Sequence, residues 1–411
     1  MRILHTSDWH LGQEFHGFPR EHEHASFLGW LEQTLVEQQI DALVVAGDIY
    51  DSQNPPISAQ RQLYAFIADI RRRLPPLDVV LVGGNHDSAG RLEAPGPLLE
   101  TFGVRVVGSL PRDGDGAPDP DRVLVPLHDG AGTVAAWCAA VPFLRLSDLP
   151  PVPDGVEDDP LIWGVRQVYT QIIAVAEERR LPGQALVVTG HCYMTGCALS
   201  ELSERRILGG NQHALPVDIF PDGIGYVALG HLHKAQSVGG RDRVRYSGSP
   251  LPLSVSERDY RHQVLVVETH GGDTTVTALP VPRPVDIVRV PTRGAATPDD
   301  ALAALRALDA PADGPSKNWP YLHVAVACPG PLPSLRRDVE EAIAGKGLRL
   351  ARIDKVDDRQ DIASLPPVLP DLEDVAPEEV FVQCWRAAHD GEPPEEYLSA
   401  FRSLLEGLDS P

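Results

Sequence analysis

Cysteine is scarce in this chain, and lysine scarcer still. The five cysteines among 411 residues, at positions 138, 192, 197, 328 and 384, are odd in number and never spaced C-x-x-C. That argues against both a disulfide framework and a thiolate zinc site, and leaves small buried hydrophobes as the reading. No run of 18 apolar residues occurs, so no membrane span is indicated. The first residues lack a basic flank followed by a cleavable apolar stretch, which makes the cytoplasm the expected location. Positive charge is short as well. Lys and Arg total 36 against 58 Asp and Glu, a formal net charge of −22, and only 4 of the 36 are Lys. This balance speaks against a broadly basic nucleic-acid surface. It does not set the field at a site that holds divalent cations.

What is present looks globular. Hydrophobic content is 43% and charged content 23%, an ordinary balance for a packed domain. Residues 2–6, 42–46 and 79–83 are short apolar runs that read as buried strands. Between them Phe27, Leu31 and Leu35, and then Leu63, Phe66, Ile67 and Ile70, fall at helical spacing. A β-α-β-α-β start implies parallel strands covered by helices. Further strands are expected at 104–107, 134–140, 186–189, 225–229 and 263–267, with a helix near 162–180. The pattern changes near 281–285. Residues 285–354 then read as a second, small β-α-β-α-β unit, residues 356–376 as an acidic, Pro-rich linker, and the tail as two short helices. In that tail Tyr397, Phe401, Leu404, Leu405 and Leu408 form one apolar stripe, which packs either on its own domain or on a partner.

Five polar clusters follow the apolar runs: Asp8-Trp9-His10, Gly47-Asp48-Ile49-Tyr50-Asp51, Gly84-Asn85-His86-Asp87, Gly190-His191 and Gly230-His231-Leu232-His233. In a parallel sheet, functional loops sit at the carboxyl ends of strands. Each cluster carries carboxylate, imidazole or amide donors, a mixed N/O set suited to manganese, iron or zinc. The i, i+2 spacing of Asp8/His10 and of His231/His233 lets both members face one centre. Singly, a D-x-H or a lone histidine is commonplace. Together, each at a strand end, the clusters would bury too many polar groups to be structural. His5 reads as packed inside a strand, while His16, His22 and His24 read as a solvated face. Ser247 and Ser249, in Tyr246-Ser-Gly-Ser-Pro250, either approach a phosphate or form a plain turn, and Arg91 is a candidate substrate contact.

The series D-x-H, G-D-x-x-D, G-N-H-D, H, G-H-x-H resembles the signature of the calcineurin-like metallophosphoesterases. Residues 194–206, 226–236 and 246–257 are similar, more narrowly, to the SbcD family of nuclease subunits. That resemblance implies an α/β fold with a two-layered β-sandwich core flanked by helices over residues 1–280. It also implies a capping domain at 281–355, a linker at 356–376 and a helical segment at 377–411. Carried over by motif, Asp8, His10, Asp48 and His233 would hold one metal ion. Asp48, Asn85, His191 and His231 would hold the other, with Asp48 as bridge. Two divalent ions, Mn(II) by preference, would outweigh the two aspartate charges, receive a phosphodiester and acidify a water. His86 would protonate the leaving 3′-oxygen, with Asp51 orienting its imidazole or else acting as a helix cap.

The activity implied is that of an exonuclease and endonuclease on single-stranded DNA, double-stranded ends and hairpins, serving repair. Its partner would be an SbcC-type ATPase docked through Tyr397, Phe401 and Leu405, within a homodimeric assembly away from membranes. A phosphatase or small-molecule phosphodiesterase would share the metal residues. A non-catalytic docking subunit would have no need of them.

Overall fold

The apolar runs become strands buried on both faces. Within Ala42–Ala46 the residues Ala42 and Val44 point one way while Leu43 and Val45 point the other, and none is exposed. Such strands must be covered on each side. In the computed structural model, which describes residues 1–356 except 154, 157, 199–213, 271–272 and 329–332, together with 382, 385, 393, 394, 397 and 398, the cover is a second sheet on one side and helices on the other.

The first six-stranded sheet runs in the order Asp273–Pro280, Gln263–His270, Arg2–Thr6, Ala42–Ala46, Asp78–Val82, Val104–Val107. Its last four strands are parallel, in register Leu4↔Leu43 and Leu43↔Val79. The second runs Gln236–Val238, Arg241–Tyr246, Tyr226–Gly230, Ala185–His191, Val134–Ala139, Leu124–His128, with its central strands parallel. Ile3, Val44, Val82 and Val107 from one sheet share a core with Leu127, Cys138, Val187 and Ala228 from the other. Helices Glu21–Glu37 and Ile57–Arg73 cover the first sheet through Phe27, Leu31, Leu63 and Phe66. Helix Pro160–Arg179, capped by the Asp159 carboxylate, covers the second through Val165, Val168 and Ile172. The expected sandwich with flanking helices is the observed core.

His5 lies between the sheets with Nδ1 2.9 Å from the Tyr226 hydroxyl, packed as expected. His24 departs from expectation. It is fully buried, because it shares the inward face of its helix with Phe27 and Leu31, and burial followed by nearby Arg20 lowers its pKa to about 3. Cys138 and Cys328 are buried, Cys192 and Cys197 are partly exposed, and Cys384 lies outside the described residues.

The β-α-β-α-β order expected for residues 285–354 is present. Strands Ile287–Val290, Tyr321–Ala327 and Arg349–Val356 form a parallel three-stranded sheet with helices Pro298–Ala307 and Leu335–Ala342 around their own core. Phe15, Val255, Val285, Ile287 and Tyr321 join this sheet to the sandwich, so Met1–Val356 is one compact unit, distinct from Asp357–Pro411. In the latter, Tyr397 is exposed and its ring centroid lies 4.9 Å from that of Trp385. Phe401 and Leu405 lie outside the described residues. No helix among the described residues is long and apolar enough to cross a membrane.

The joint also contains a polar lock. Tyr321 donates its hydroxyl to Glu23 Oε1 at 2.6 Å, Arg20 reaches Glu23 Oε2 at 2.9 Å, and all three are buried. Tyr321→Phe leaves one oxygen of a buried carboxylate short of a donor and is expected to destabilise the unit by about 1–3 kcal/mol. Urea unfolding measures this, and an unchanged midpoint would contradict it.

Candidate metal centre

Both sheets deliver parallel strands whose carboxyl ends meet at one edge of the sandwich. The chain leaves Arg2–Thr6, Ala42–Ala46 and Asp78–Val82 into the loops that carry Asp8, Asp48 and Asn85. It reaches His191 at the end of one strand of the second sheet and His231 just past another. The loops are zipped together by backbone bonds, Asp8 N–H to Gly47 O and His10 N–H to Asp48 O, each 3.0 Å. Four of the seven expected ligands hold positive φ: Asp8 at 54°, His10 at 46°, Asp48 at 48° and His231 at 100°. Such strain, roughly 1–3 kcal/mol per residue, persists where surroundings over-determine it, and it clusters at functional sites. Two motif glycines have a steric reason. A Cβ on Gly84 would lie 2.2 Å from Asp48 Oδ1, and one on Gly230 would lie 1.9 Å from Ala46 O.

The seven side chains come together. Donor atoms of Asp8, His10 and His233 lie within 4.8 Å of one another, as do those of Asp8, Asp48 and His191, and of His10, Asp48 and His86. Asn85 Oδ1 lies 3.0 Å from both His191 Nε2 and His231 Nδ1. Asp48 Oδ2 faces His191 Nε2 at 3.2 Å and His10 Nε2 at 3.6 Å, while its Oδ1 accepts the His86 N–H at 2.8 Å. Asp48 therefore lies against members of both expected ligand sets, His10 of one and His191 of the other.

Behind the donors sits a layer that sets the tautomers. His10 Nδ1 lies 3.2 Å from Asp51 Oδ1, His191 Nδ1 2.9 Å from Ala46 O, and His233 Nδ1 3.0 Å from Glu257 Oε1. Each Nδ1–H is thereby committed to an acceptor and each Nε2 is turned inward. Asp8 accepts from Ser7 Oγ at 2.5 Å and from the His231 N–H at 2.9 Å. Asp87 is buried and accepts the N–H groups of Gly84, Ile49 and Tyr50, tying two loops together. Burial, then the charge of Asp48, raises its pKa to about 6 against those three bonds.

Burial pulls the His191 imidazole down, but the charge and hydrogen bond of Asp48 overcome it and raise the pKa to about 9. Burial likewise opposes the Asp48 anion, yet His191 leads His10 and His86 in holding it well below the usual range. Burial, reinforced by His191, takes His231 down to about 3, so it offers a neutral imidazole. The donor set fits divalent cations. It is carboxylate, imidazole and amide without thiolate, and buried His10 Nε2 has no hydrogen-bond partner.

Three expectations change. Asp51 does position His86, but through its backbone carbonyl, which accepts from His86 Nδ1 at 2.7 Å; its carboxylate faces His10 instead. Nor does Asp51 cap a helix, since the next one starts at Ile57 with Pro56 at the N-cap. Ser247 and Ser249 are wholly buried, Ser247 Oγ 2.8 Å from Ser7 Oγ and Ser249 Oγ 3.5 Å from His262 Nδ1. Hydroxyls sealed behind Asp8 do not meet a polymer's phosphates. Arg91 is exposed, on the short helix Ala89–Glu93 that follows the G-N-H-D loop. Glu257 went unread. It is the final residue of the stretch 246–257, and only the fold brings it to His233.

Residues 1–235 match the family described as Calcineurin-like phosphoesterase, and residues 283–389 one described as Type 5 capsule protein repressor C-terminal domain. The chain is 44% identical over 356 residues to the D component of nuclease SbcCD from Rhodobacter capsulatus, covering 85% of this chain and 86% of that one. Its identity to the same component is 36% over 293 residues in Escherichia coli, covering 69% and 68% of the two chains. In Bacillus subtilis it is 34% over 279 residues, covering 66% and 67%.

Glu257→Gln weakens the acceptor that turns His233 inward and is expected to lower metal affinity roughly 10–100-fold. Calorimetric titration with Mn(II) reads this directly, and an affinity equal to the parent's would contradict it.

Proposed function

The chain belongs to the SbcD family of calcineurin-like phosphoesterases and is a metal-dependent nuclease, and on that premise we propose that it hydrolyses DNA phosphodiesters with two Mn(II) ions. The observation that carries this reading is the pair of donor groups sharing Asp48 at the meeting edge of the sheets. Asp8, His10, Asp48 and His233 would hold one ion; Asp48, Asn85, His191 and His231 would hold the other. When bound, such ions supply Lewis acidity to the phosphate and acidify a water.

The remaining work falls to His86. Its ring is partly open to solvent and Nδ1–H is tied to the Asp51 carbonyl, so it is the doubly protonated ring, charged by a proton from solvent, that passes its Nε2 proton to the leaving 3′-oxygen and is left neutral. The exposed Arg91 contacts DNA beside it. Single strands, double-stranded ends and hairpins are the substrates, cut exonucleolytically and endonucleolytically for repair in the cytoplasm.

The later segments serve assembly. Residues 281–355 cap the nuclease domain, 356–376 link, and 377–411 dock an SbcC-type ATPase through Tyr397, Phe401 and Leu405. Leu98 and Phe102 are large exposed apolar side chains beside Tyr64 and Ile67, a face suited to a second copy in a homodimer.

With Mn(II) added, single-stranded and hairpin DNA are expected to be cleaved far faster than p-nitrophenyl phosphate is hydrolysed. A preference for the monoester would instead support a phosphatase. His86→Ala is expected to retain its metal while cleavage falls roughly 10²–10⁴-fold; an active variant with full metal content would remove the acid role.

A further inference from the structure

Past strand Val134–Ala139 the chain runs along the metal centre, and Phe143 is fastened there by its N–H to Gly83 O at 2.8 Å. The Phe143 ring stands edge-on to ligand His191, centroids 6.3 Å apart. The Arg145 guanidinium lies over that ring, 5.8 Å from its centroid. On the other donor group the same device recurs. Lys234, the residue after ligand His233, is exposed and sits 5.6 Å from the centroid of the Tyr260 ring. Among the described residues neither cation has a carboxylate within ion-pairing distance, whereas Arg166, Arg179, Arg243 and Arg258 each have one.

In a chain of net charge −22, two cations seated on aromatic rings beside the two donor groups, with no carboxylate partner among the described residues, stand out. An aromatic ring under a cation holds it in place without neutralising it. Phe143, His191 and His231 also line a small pocket whose other walls include Leu161, Val165, Tyr169 and Leu215. We infer that Arg145 on Phe143 and Lys234 on Tyr260 hold the phosphates that flank the scissile bond of a single nucleic-acid strand, one at each end of the metal centre. This rests on the nuclease reading and assigns it two contact residues. They position the strand and take no part in the proton transfer.

The test compares Mn(II)-supported kcat/KM on a single-stranded oligothymidylate with that on bis(p-nitrophenyl) phosphate, which has no flanking phosphates. Arg145→Ala, Lys234→Ala and Phe143→Leu are each expected to lower the oligonucleotide-to-diester ratio about tenfold, the worth of one charge-assisted contact. The two alanine variants are also expected to reduce the slope of log affinity against log salt by about 0.7. Arg145→Lys, which keeps the charge and loses the planar fork, recovers part of the ratio. Ratios within twofold of the parent's, including equal loss on both substrates, overturn the inference. A parent that hydrolyses the diester and leaves the oligonucleotide intact overturns the nuclease reading with it.

Discussion

Asp48 places a carboxylate where the two sheets meet, with 2% of its surface exposed, and much of the surrounding architecture is what keeps that anion there. A buried carboxylate is tolerable only when paired and hydrogen-bonded. The His86 N–H, His191 and His10 supply those partners. The backbone at Asp8, His10, Asp48 and His231 accepts left-handed conformations so that the partners can reach. Gly84 gives the Asp48 carboxylate room, and Gly230 lets the second sheet's strand approach Ala46. Asp48 raises the His191 pKa, and a divalent cation held there would take over the role of that proton.

The sandwich makes this possible because it brings two sets of parallel strand ends to one edge. One sheet contributes Asp8, Asp48 and Asn85; the other contributes His191, His231 and His233. Neither sheet alone carries a complete donor group, so the apolar contact between them, Val44 and Val82 against Val187 and Ala228, also fixes the geometry of the centre. The layer behind it, Asp51, Ala46 O and Glu257, commits the Nδ1–H of His10, His191 and His233 and turns each Nε2 inward.

Most of the fold could be read in the sequence because its signals are local. Strands 42–46 and 186–189 are short β-branched runs, and the helix before Arg180 is announced by Asp159-Pro160 and an apolar stripe. The seven side chains that meet at this edge were readable for the same reason, each lying within a few residues of a strand end. What escaped was non-local. Glu257 reaches His233 across 24 residues, and Arg145 matters only because Phe143 is pinned to Gly83. Local pattern also misled. His24 sits in a polar stretch yet lies on the inward face of its helix, Ser247 and Ser249 are small and polar yet sealed, and Asp51 acts on His86 through a carbonyl that every residue possesses.

The account depends on two ions sharing one aspartate. Anomalous diffraction at the manganese edge, from crystals grown with Mn(II), measures that most directly. It should give two peaks on the order of 3.5–4 Å apart, both bonded to the Asp48 carboxylate. One should be completed by Asp8, His10 and His233, the other by Asn85, His191 and His231. A single peak at saturating Mn(II), or two peaks of which only one touches Asp48, would contradict it.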